Sequence, residues 1–433
     1  MKRPEPTGIL ALALSLVFFF TNPALSDVAP GDLLDRTNWE EARGLLPDSV
    51  LAWVKEGKIV LPIGELSYEP RDYFPSFFLE HLKKNGGKYA LDEDHWIVEA
   101  ETGKRPECIV GVPFPEIDPA DPEAGEKIMY NKKYAQYSLG DVRGTAPIFF
   151  IGSNGYERAL DLEVLVTHME GNPKYATRAN PQGLLQQEIV VVRSPYDLAG
   201  MAVMTWRFRD PGKQDLCFGY APAIRRVRRM SPANRSDSLF GSDISNDDIA
   251  LYDGKIAAME WRLVRTQEAL VPFWDMDPAP IAQSGHGEWK TTRQTKPAIY
   301  GYEKEGWQGA PWAPVNWVWV KRPTYIIEMR PRDRYYNYGV QHIWVGAEAY
   351  SPVYKIIGNR SGTYWKTLMK ARMAGESADK STRLTILGDT IYLDELSGHA
   401  TIGPVARPEI ILTYFANLSV DCFSLAGFQK FCK

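Results

Sequence analysis

The residues that could perform acid–base or metal chemistry are spread along this chain without a catalytic spacing. The 6 histidines form no HExxH motif and no i,i+4 pair, the arrangements with which a helix binds zinc. The GxSxG, GxGxxG and phosphate-loop patterns are also absent. The sequence therefore predicts a protein that is not an enzyme and uses no cofactor, and a hydrolase whose Ser, His and Asp meet only on folding is a third hypothesis. The histidines are His81, His95, His168, His286, His342 and His399, of which His168 and His342 fall in strand patterns and are predicted core residues.

Acidic and amide side chains are concentrated between residues 243 and 253. Oxygen ligands at alternating positions suit calcium, but the sixth position of this loop is Asp248, where a helix–loop–helix calcium site needs glycine. A helix start is the better interpretation, with an oxygen-bearing cap and two carboxylates near the positive end of the helix dipole. We therefore predict no metal site. The residues concerned are Asp243, Ser245, Asn246, Asp247, Asp248 and Asp253.

Four arginines, Arg225, Arg226, Arg228 and Arg229, surround Val227. On a strand, Arg225 and Arg229 share one face and Arg226 and Arg228 the other. One interpretation is a solvated edge whose charges discourage strand-to-strand association, or that forms ion pairs with the acidic residues 243–253 that follow. The other is a docking surface for an acidic partner, such as a transporter domain or a ligand carboxylate.

Aromatic side chains alternate along several predicted strands, and the chain has 13 Trp, 22 Tyr and 17 Phe. Such strands can line an apolar cavity, where a water-insoluble ligand gains about 25 cal/mol for each Å² that leaves water. Packing in an ordinary core is the alternative for each residue. The predicted ligand-binding set is Met204, Trp206, Phe208, Trp317, Trp319, Tyr325 and Trp344.

The elements that must position these residues change in character along the chain. Residues 27–130 have helix starts and prolines, with helices predicted at 48–55 and 74–84. From residue 134 the hydrophobic period is two, which is typical of half-buried strands. Short turns between successive strands predict an antiparallel sheet. Strands are expected at 162–168, 186–193, 198–209, 317–321, 325–330, 338–347, 354–357 and 382–392, with a long interruption at 234–312.

The first 26 residues have the features of an export signal. Lys2 and Arg3 precede an apolar run at 9–20, and Ala24-Leu25-Ser26 suits signal peptidase. No later apolar stretch is long enough for a membrane helix. We therefore expect a soluble, periplasmic mature chain. Its formal charge of −4 before processing argues against nucleic-acid binding.

An exported chain with 4 cysteines is expected to form two disulfides, although three pairings are possible. Cys422 and Cys432 close a short C-terminal loop, which favours that pair and leaves Cys108 with Cys217. The domain prediction is one unit over 27–433, comprising a helical or irregular part at 27–130, a sheet at 131–415 and a disulfide-closed tail at 416–433.

Two stretches, 111–131 and 224–254, resemble the DUF1329 family of secreted Gram-negative proteins of unknown function. The likeness includes Pro113-Phe114-Pro115, Asp121-Pro122 and Tyr130-Asn131. That family is similar to the lipoprotein carriers LolA and LolB. The resemblance implies a mainly β (α+β) fold in which a strongly curved antiparallel sheet, or half-barrel, encloses helices and an apolar cavity. It also implies work beside a resistance-nodulation-division transporter and an outer-membrane protein.

The sequence thus predicts a periplasmic carrier or binding protein for a lipid or another hydrophobic compound. The alternative is a non-enzymatic envelope assembly factor that recognises a protein partner and no small ligand. An apolar cavity favours the first hypothesis, and a tightly packed sheet interior favours the second.

Overall fold

The computed structural model describes residues 28–231, 235–285, 287–292 and 296–432. The predicted signal peptide and His286 lie outside these ranges. The four helices are α1 (Asp48–Lys55), α2 (Ser76–Lys84), α3 (Ala124–Tyr137) and α4 (Leu425–Phe431). Among the helices of these ranges, none has the length and apolarity needed to cross a membrane.

Strands make up most of the remaining structure. They are β1 (Leu33–Leu34), β2 (Leu61–Pro62), β3 (Tyr89–Leu91), β4 (Ile97–Glu99), β5 (Val142–Gly152), β6 (Gly155–His168), β7 (Leu184–Ser194), β8 (Ala202–Phe208), β9 (Leu216–Ala221), β10 (Arg226–Met230), β11 (Met259–Phe273), β12 (Ala279–Gln283), β13 (Trp289–Thr291), β14 (Val318–Pro331), β15 (Tyr338–Gly346), β16 (Pro352–Asn359), β17 (Tyr364–Lys370), β18 (Met373–Ser377), β19 (Arg383–Ile386), β20 (Thr390–Asp394), β21 (His399–Gly403) and β22 (Ile411–Tyr414).

One large antiparallel sheet dominates the fold. Its strand order is β11-β14-β15-β16-β17-β20-β21-β5-β6-β7-β8-β9-β10. No pairing within the described residues joins β10 to β11, so the sheet is open. The first half of β5 also pairs with β22, which leads through β13 and β12 to β18 and β19. The predicted mainly β antiparallel fold is therefore confirmed.

Helix α3 lies against the inner face of this sheet and is buried along most of its length. Gly125 makes the close approach possible, because a Cβ at this position would come within 2.9 Å of the Leu263 backbone nitrogen of β11. Asn131 fixes the segment before the helix. Its side chain accepts from the Phe114 N–H at 2.9 Å and donates to the Phe114 carbonyl at 2.5 Å.

Several predicted elements are confirmed and others are wrong. Helices α1 and α2 and strands β6, β7 and β8 lie where the sequence placed them. However, β14 runs without a turn through Arg322 and Pro323, and 382–392 contains two strands instead of one. The predicted interruption at 234–312 contains β11, a 15-residue strand. A register shift between Leu263 and Arg265 changes the phase of β11 and hides its alternation.

The predicted disulfides are absent, since Cys108, Cys217, Cys422 and Cys432 are all free thiols. Cys422 belongs to the 3-10 turn Val420–Phe423, which precedes α4 and packs beside Gly427, whereas Cys432 follows the last residue of α4. Cys217 faces Met230, with 4.0 Å between their sulfurs, whereas Cys108 contacts the Ile109 carbonyl.

The acidic loop, which comprises residues 239–253, is attached to the sheet by a fully buried ion pair. Lys355 of β16 lies 2.7 Å from Asp248, and both side chains have 0% exposure. Burial alone would raise the pKa of Asp248, but the ion pair and the Tyr338 hydroxyl lower it below its ordinary value. This pair links residues that are 107 positions apart in the sequence.

Replacing Lys355 by methionine should destabilise the protein by about 3–5 kcal/mol, because Asp248 is left as an unpaired buried charge. Urea unfolding of Lys355→Met measures the change. The matched control is Lys84→Met, which removes an exposed i,i+4 pair on α2 and should cost less than about 0.5 kcal/mol. Equal effects of the two variants would contradict this assignment.

Candidate functional site

The concave face of the sheet is built from cross-strand rows whose polarity changes from one end to the other. The apolar rows are Ala146–Leu162 and Gly144–Val164–Val190. The next row, Val142–Val166–Glu188, ends in a carboxyl group. The row beyond it is wholly polar and consists of His168, Gln186 and Arg207.

A cavity of about 240 Å³ lies over these rows. On its far side, Lys370, Thr390 and Gly403 form another cross-strand row, contributed by β17, β20 and β21. The inner sheet strands lining the cavity thus run from β17 to β7. Gly144 lets Leu412 of β22 approach this wall, because a Cβ at residue 144 would overlap the Leu412 side chain.

The acidic loop covers this cavity. Leu239, Phe240, Ile244, Ile249 and Ala250 line it from above, opposite the valines of the sheet. The capping prediction is confirmed in part, because the Asp248 carboxylate accepts from the Ser245 N–H at 3.2 Å and from its hydroxyl at 2.7 Å. The helix that begins there is a short 3-10 turn, Asn246–Leu251, with left-handed backbone at Ala250.

Buried charges form the polar end of the cavity. Asp253 contacts Lys133 of α3 at 2.5 Å and Arg207 of β8 at 2.8 Å. Burial would raise the pKa of Asp253, but the two cations hold it far below its ordinary value. Arg207 also contacts Asp215 at 3.0 Å, and Lys132 donates to the Tyr252 carbonyl at 2.7 Å. No group of three or more potential metal ligands is found within the described residues.

Four polar groups at the cavity lack a protein partner among the described residues. Burial and, to a smaller extent, the negative charge of Asp253 raise the pKa of Glu188 to about 7. Burial and, to a smaller extent, the positive charge of Arg372 lower the pKa of the Lys370 amine to about 8. The remaining two groups are His168 Nε2 and Gln186 Oε1. Buried polar atoms normally have a hydrogen-bond partner. Because these four have none within the described residues, a ligand or water can supply it.

Comparison with curated protein sequences finds no match. The sequence matches the family described as a protein of unknown function (DUF1329) over residues 33–397. This chain belongs to the DUF1329 family. Residues 243–253, which supply most of the acidic loop, are within the matched range.

Three solved structures are similar to this DUF1329 chain. A putative outer membrane lipoprotein-sorting protein domain from Vibrio parahaemolyticus has 16% identity and a TM-score of 0.46, covering 71% of this chain and 100% of its own. A DUF1329 family protein from Desulfovibrio piger has 16% identity and a TM-score of 0.45, covering 70% and 98%. A LolA superfamily protein from Nitrosomonas europaea has 15% identity and a TM-score of 0.40, covering 69% and 97%.

The predicted aromatic ligand set lies away from this cavity in the DUF1329 chain. Met204 and Trp206 occupy the opposite face of β8, where α4 and the preceding turn cover them, and the Trp206 indole donates to the Phe423 carbonyl at 3.1 Å. Phe208 is buried at the end of the same strand. Trp317, Trp319 and Trp344 pack in one hydrophobic cluster and Tyr325 against another. Their role in ligand binding stays a prediction.

The other candidate residues have structural partners or are exposed. Arg225, Arg226, Arg228 and Arg229 are exposed on or beside edge strand β10 and form no ion pair within the described residues. His399 contacts Asp243 at 2.6 Å, and His95 contacts Glu126 at 2.9 Å. No histidine of the described ranges is hydrogen-bonded to both a serine and a carboxylate.

The residues that form the site were visible in the sequence as strands but were not assigned to it. The alternation of Leu162, Val164 and Val166 ends in His168, and this exchange of an apolar side chain for a polar one marks the polar end of the cavity. Lys132 and Lys133 gave no signal, because lysines within a helix are usually solvent-exposed.

Glu188 should make the stability of this protein depend on pH. Its pKa in the folded state, about 7, is above its ordinary value of 4.5, so the folded state loses stability as pH rises between these values. Glu188→Gln mimics the protonated form. We expect it to match the wild type near pH 4 and to be more stable on the order of 2–3 kcal/mol at pH 8.

Urea unfolding of both proteins at the two pH values measures this difference. Groups that titrate elsewhere contribute equally to the wild type and the variant, so the comparison isolates residue 188. A difference that does not change between pH 4 and pH 8 would contradict the buried, unpaired carboxyl.

Proposed function

We propose that this protein is a non-enzymatic carrier that binds a lipid or another hydrophobic small molecule in the cavity between the concave sheet face and the acidic loop. The observation that carries the proposal is the cavity of about 240 Å³, whose walls are formed mainly by Val, Leu, Ile, Ala and Gly. An apolar cavity of about 150 Å³ stays dry and binds benzene. The cavity here has room for a larger apolar ligand.

Binding would be driven by removal of apolar surface from water, at about 25 cal/mol for each Å² buried on the ligand. The acidic loop is a suitable gate, since one wall is a loop and the other a rigid sheet. Its anchors Asp248–Lys355 and Asp253–Arg207 lie in the second half of the loop, after the lining residues Leu239, Phe240 and Ile244. Movement of Leu239 and Phe240, which precede these anchors, would admit a ligand while the fold stays intact.

The predicted cellular setting belongs to the same proposal. A signal peptide at 1–26 would bring the mature chain to the periplasm, where a hydrophobic compound needs a carrier to cross water. A transporter of the resistance-nodulation-division type and an outer-membrane protein are the proposed partners. The exposed arginines 225, 226, 228 and 229 are the proposed contact with an acidic surface on such a partner.

Filling the cavity should abolish ligand binding without unfolding the protein. Val164 lies in the centre of the concave wall, so Val164→Trp places an indole where the ligand would lie. We expect at least a tenfold loss of affinity for the neutral fluorescent probe N-phenyl-1-naphthylamine. Asp161→Trp adds the same side chain at an exposed position of the same strand and should leave affinity unchanged. Equal binding by both variants, with unchanged circular dichroism, would contradict the cavity as the site.

The aromatic strand residues provide a second test of where the ligand binds. Trp206→Ala removes a half-buried indole from the convex face and should leave probe affinity within twofold of wild type. Trp317→Ala removes a fully buried indole and should destabilise by about 3–5 kcal/mol, with probe affinity retained while the protein is folded. Probe titration and urea unfolding separate the two effects. Loss of binding beyond the loss of stability would move the site to the aromatic strands.

The alternative function is an envelope factor that recognises a protein and no small ligand. A wild-type protein that fails to bind the probe would favour this hypothesis.

A further inference from the structure

Lys370 is the one cavity-lining lysine of the described residues, and it has no acidic partner. Its side chain has 7% relative exposure, and it forms no hydrogen bond or ion pair within the described ranges. Burying an ammonium group without a counter-charge costs several kcal/mol. An unpaired ammonium group at a cavity therefore indicates that a bound ligand supplies its counter-charge.

The surroundings of Lys370 are basic. Arg372 lies two residues further along the chain, and its positive charge lowers the pKa of Lys370. Lys132 of α3 is also close enough for the charge of Lys370 to lower the pKa of Lys132. The carboxylates of the cavity are elsewhere. Asp253 is paired with Lys133 and Arg207, and Glu188 lies on β7, near that network. Lys370 lies on β17, five strands from β7 in the order of the sheet.

A second, smaller void of about 50 Å³ meets the main cavity at Lys370. Both voids are lined by Gln136, Leu139, Ala250, Lys370 and Leu387. Lys370 therefore contributes to the walls of both spaces, the apolar cavity and the smaller void beside α3. Thr390, the cross-strand neighbour of Lys370, adds a hydroxyl to the same lining.

We propose that the ligand is an anionic amphiphile, whose carboxylate or phosphate group pairs with Lys370 while its apolar chain lies against the wall formed by Ala146, Leu162 and Val164. This inference rests on the proposed carrier function and specifies the class of its ligand. A carboxylate or phosphate supplies the counter-charge that the protein withholds, and its hydrogen bonds to an ammonium are stronger than neutral ones. Neutral hydrocarbons would leave Lys370 unpaired.

Displacement of N-phenyl-1-naphthylamine by three ten-carbon compounds tests the proposal. Wild-type protein should bind decanoate or decyl phosphate at least tenfold more tightly than decanol. The two anionic compounds distinguish a carboxylate ligand from a phosphate ligand. Equal affinity for decanol and for both anions would overturn the inference, whereas the carrier function would still stand if the neutral probe binds and Val164→Trp abolishes that binding.

Lys370→Met should reduce the affinity for the preferred anion at least tenfold and leave decanol affinity unchanged. Lys370→Arg should retain the preference for the anion. The matched control is Lys366→Met, on the same strand, because Lys366 is also buried but already donates to the Asp243 carbonyl at 3.1 Å. Without ligand, Lys370→Met should keep or raise the melting temperature, since it removes an unpaired buried charge. An unchanged anion preference in folded Lys370→Met would also overturn the inference.

Discussion

The geometry of the site depends on the two buried ion pairs that the Asp253 carboxylate forms. This carboxylate is the meeting point of three elements, because it pairs with Lys133 of α3 and Arg207 of β8 while belonging to the end of the acidic loop. Removing any one of these three side chains would leave the buried network with an unbalanced charge. The network therefore fixes α3 and the loop at a set distance from the sheet, and the space enclosed between them is the cavity.

The unequal treatment of charge in this interior connects stability with function. Asp248 and Asp253 have cations within hydrogen-bond distance, as expected for groups that hold a fold together. Glu188 and Lys370 have no such partners, although both are also buried, with 7% exposure each. Groups of this kind lower stability, and a buried group with a shifted pKa in a cavity is a candidate functional residue. The paired charges position the cavity, and the unpaired ones give it two chemically different ends.

The sequence predicted the fold class and many strands because period-two alternation is a local signal. It was less informative about faces, since the same alternation leaves both faces of a strand as candidates. On β8, the apolar residues Met204 and Trp206 pack under α4, and the polar residues Thr205 and Arg207 point to the interior. A C-terminal helix that covers the convex face cannot be read from β8 itself. The sequence pointed to the aromatic strands as the cavity wall, because alternation does not show which face of a strand is already covered by another element. The valines that line the cavity have the same alternation.

Long-range pairing explains the other differences. The role of Lys355 is set by Asp248, and that of Lys133 by Asp253, each more than 100 residues away. The break expected between strands 317–321 and 325–330 is absent, because Pro323 lies inside β14 opposite Glu268. The cysteines were paired from their spacing alone, and α4 separates Cys422 from Cys432.

Native mass spectrometry of the protein purified from the cells that make it tests the central claim most directly. The cavity account predicts one small apolar or amphipathic molecule bound to each chain, released on denaturation and identifiable in the extract. A chain that carries no such molecule and also fails to take up added N-phenyl-1-naphthylamine would contradict it.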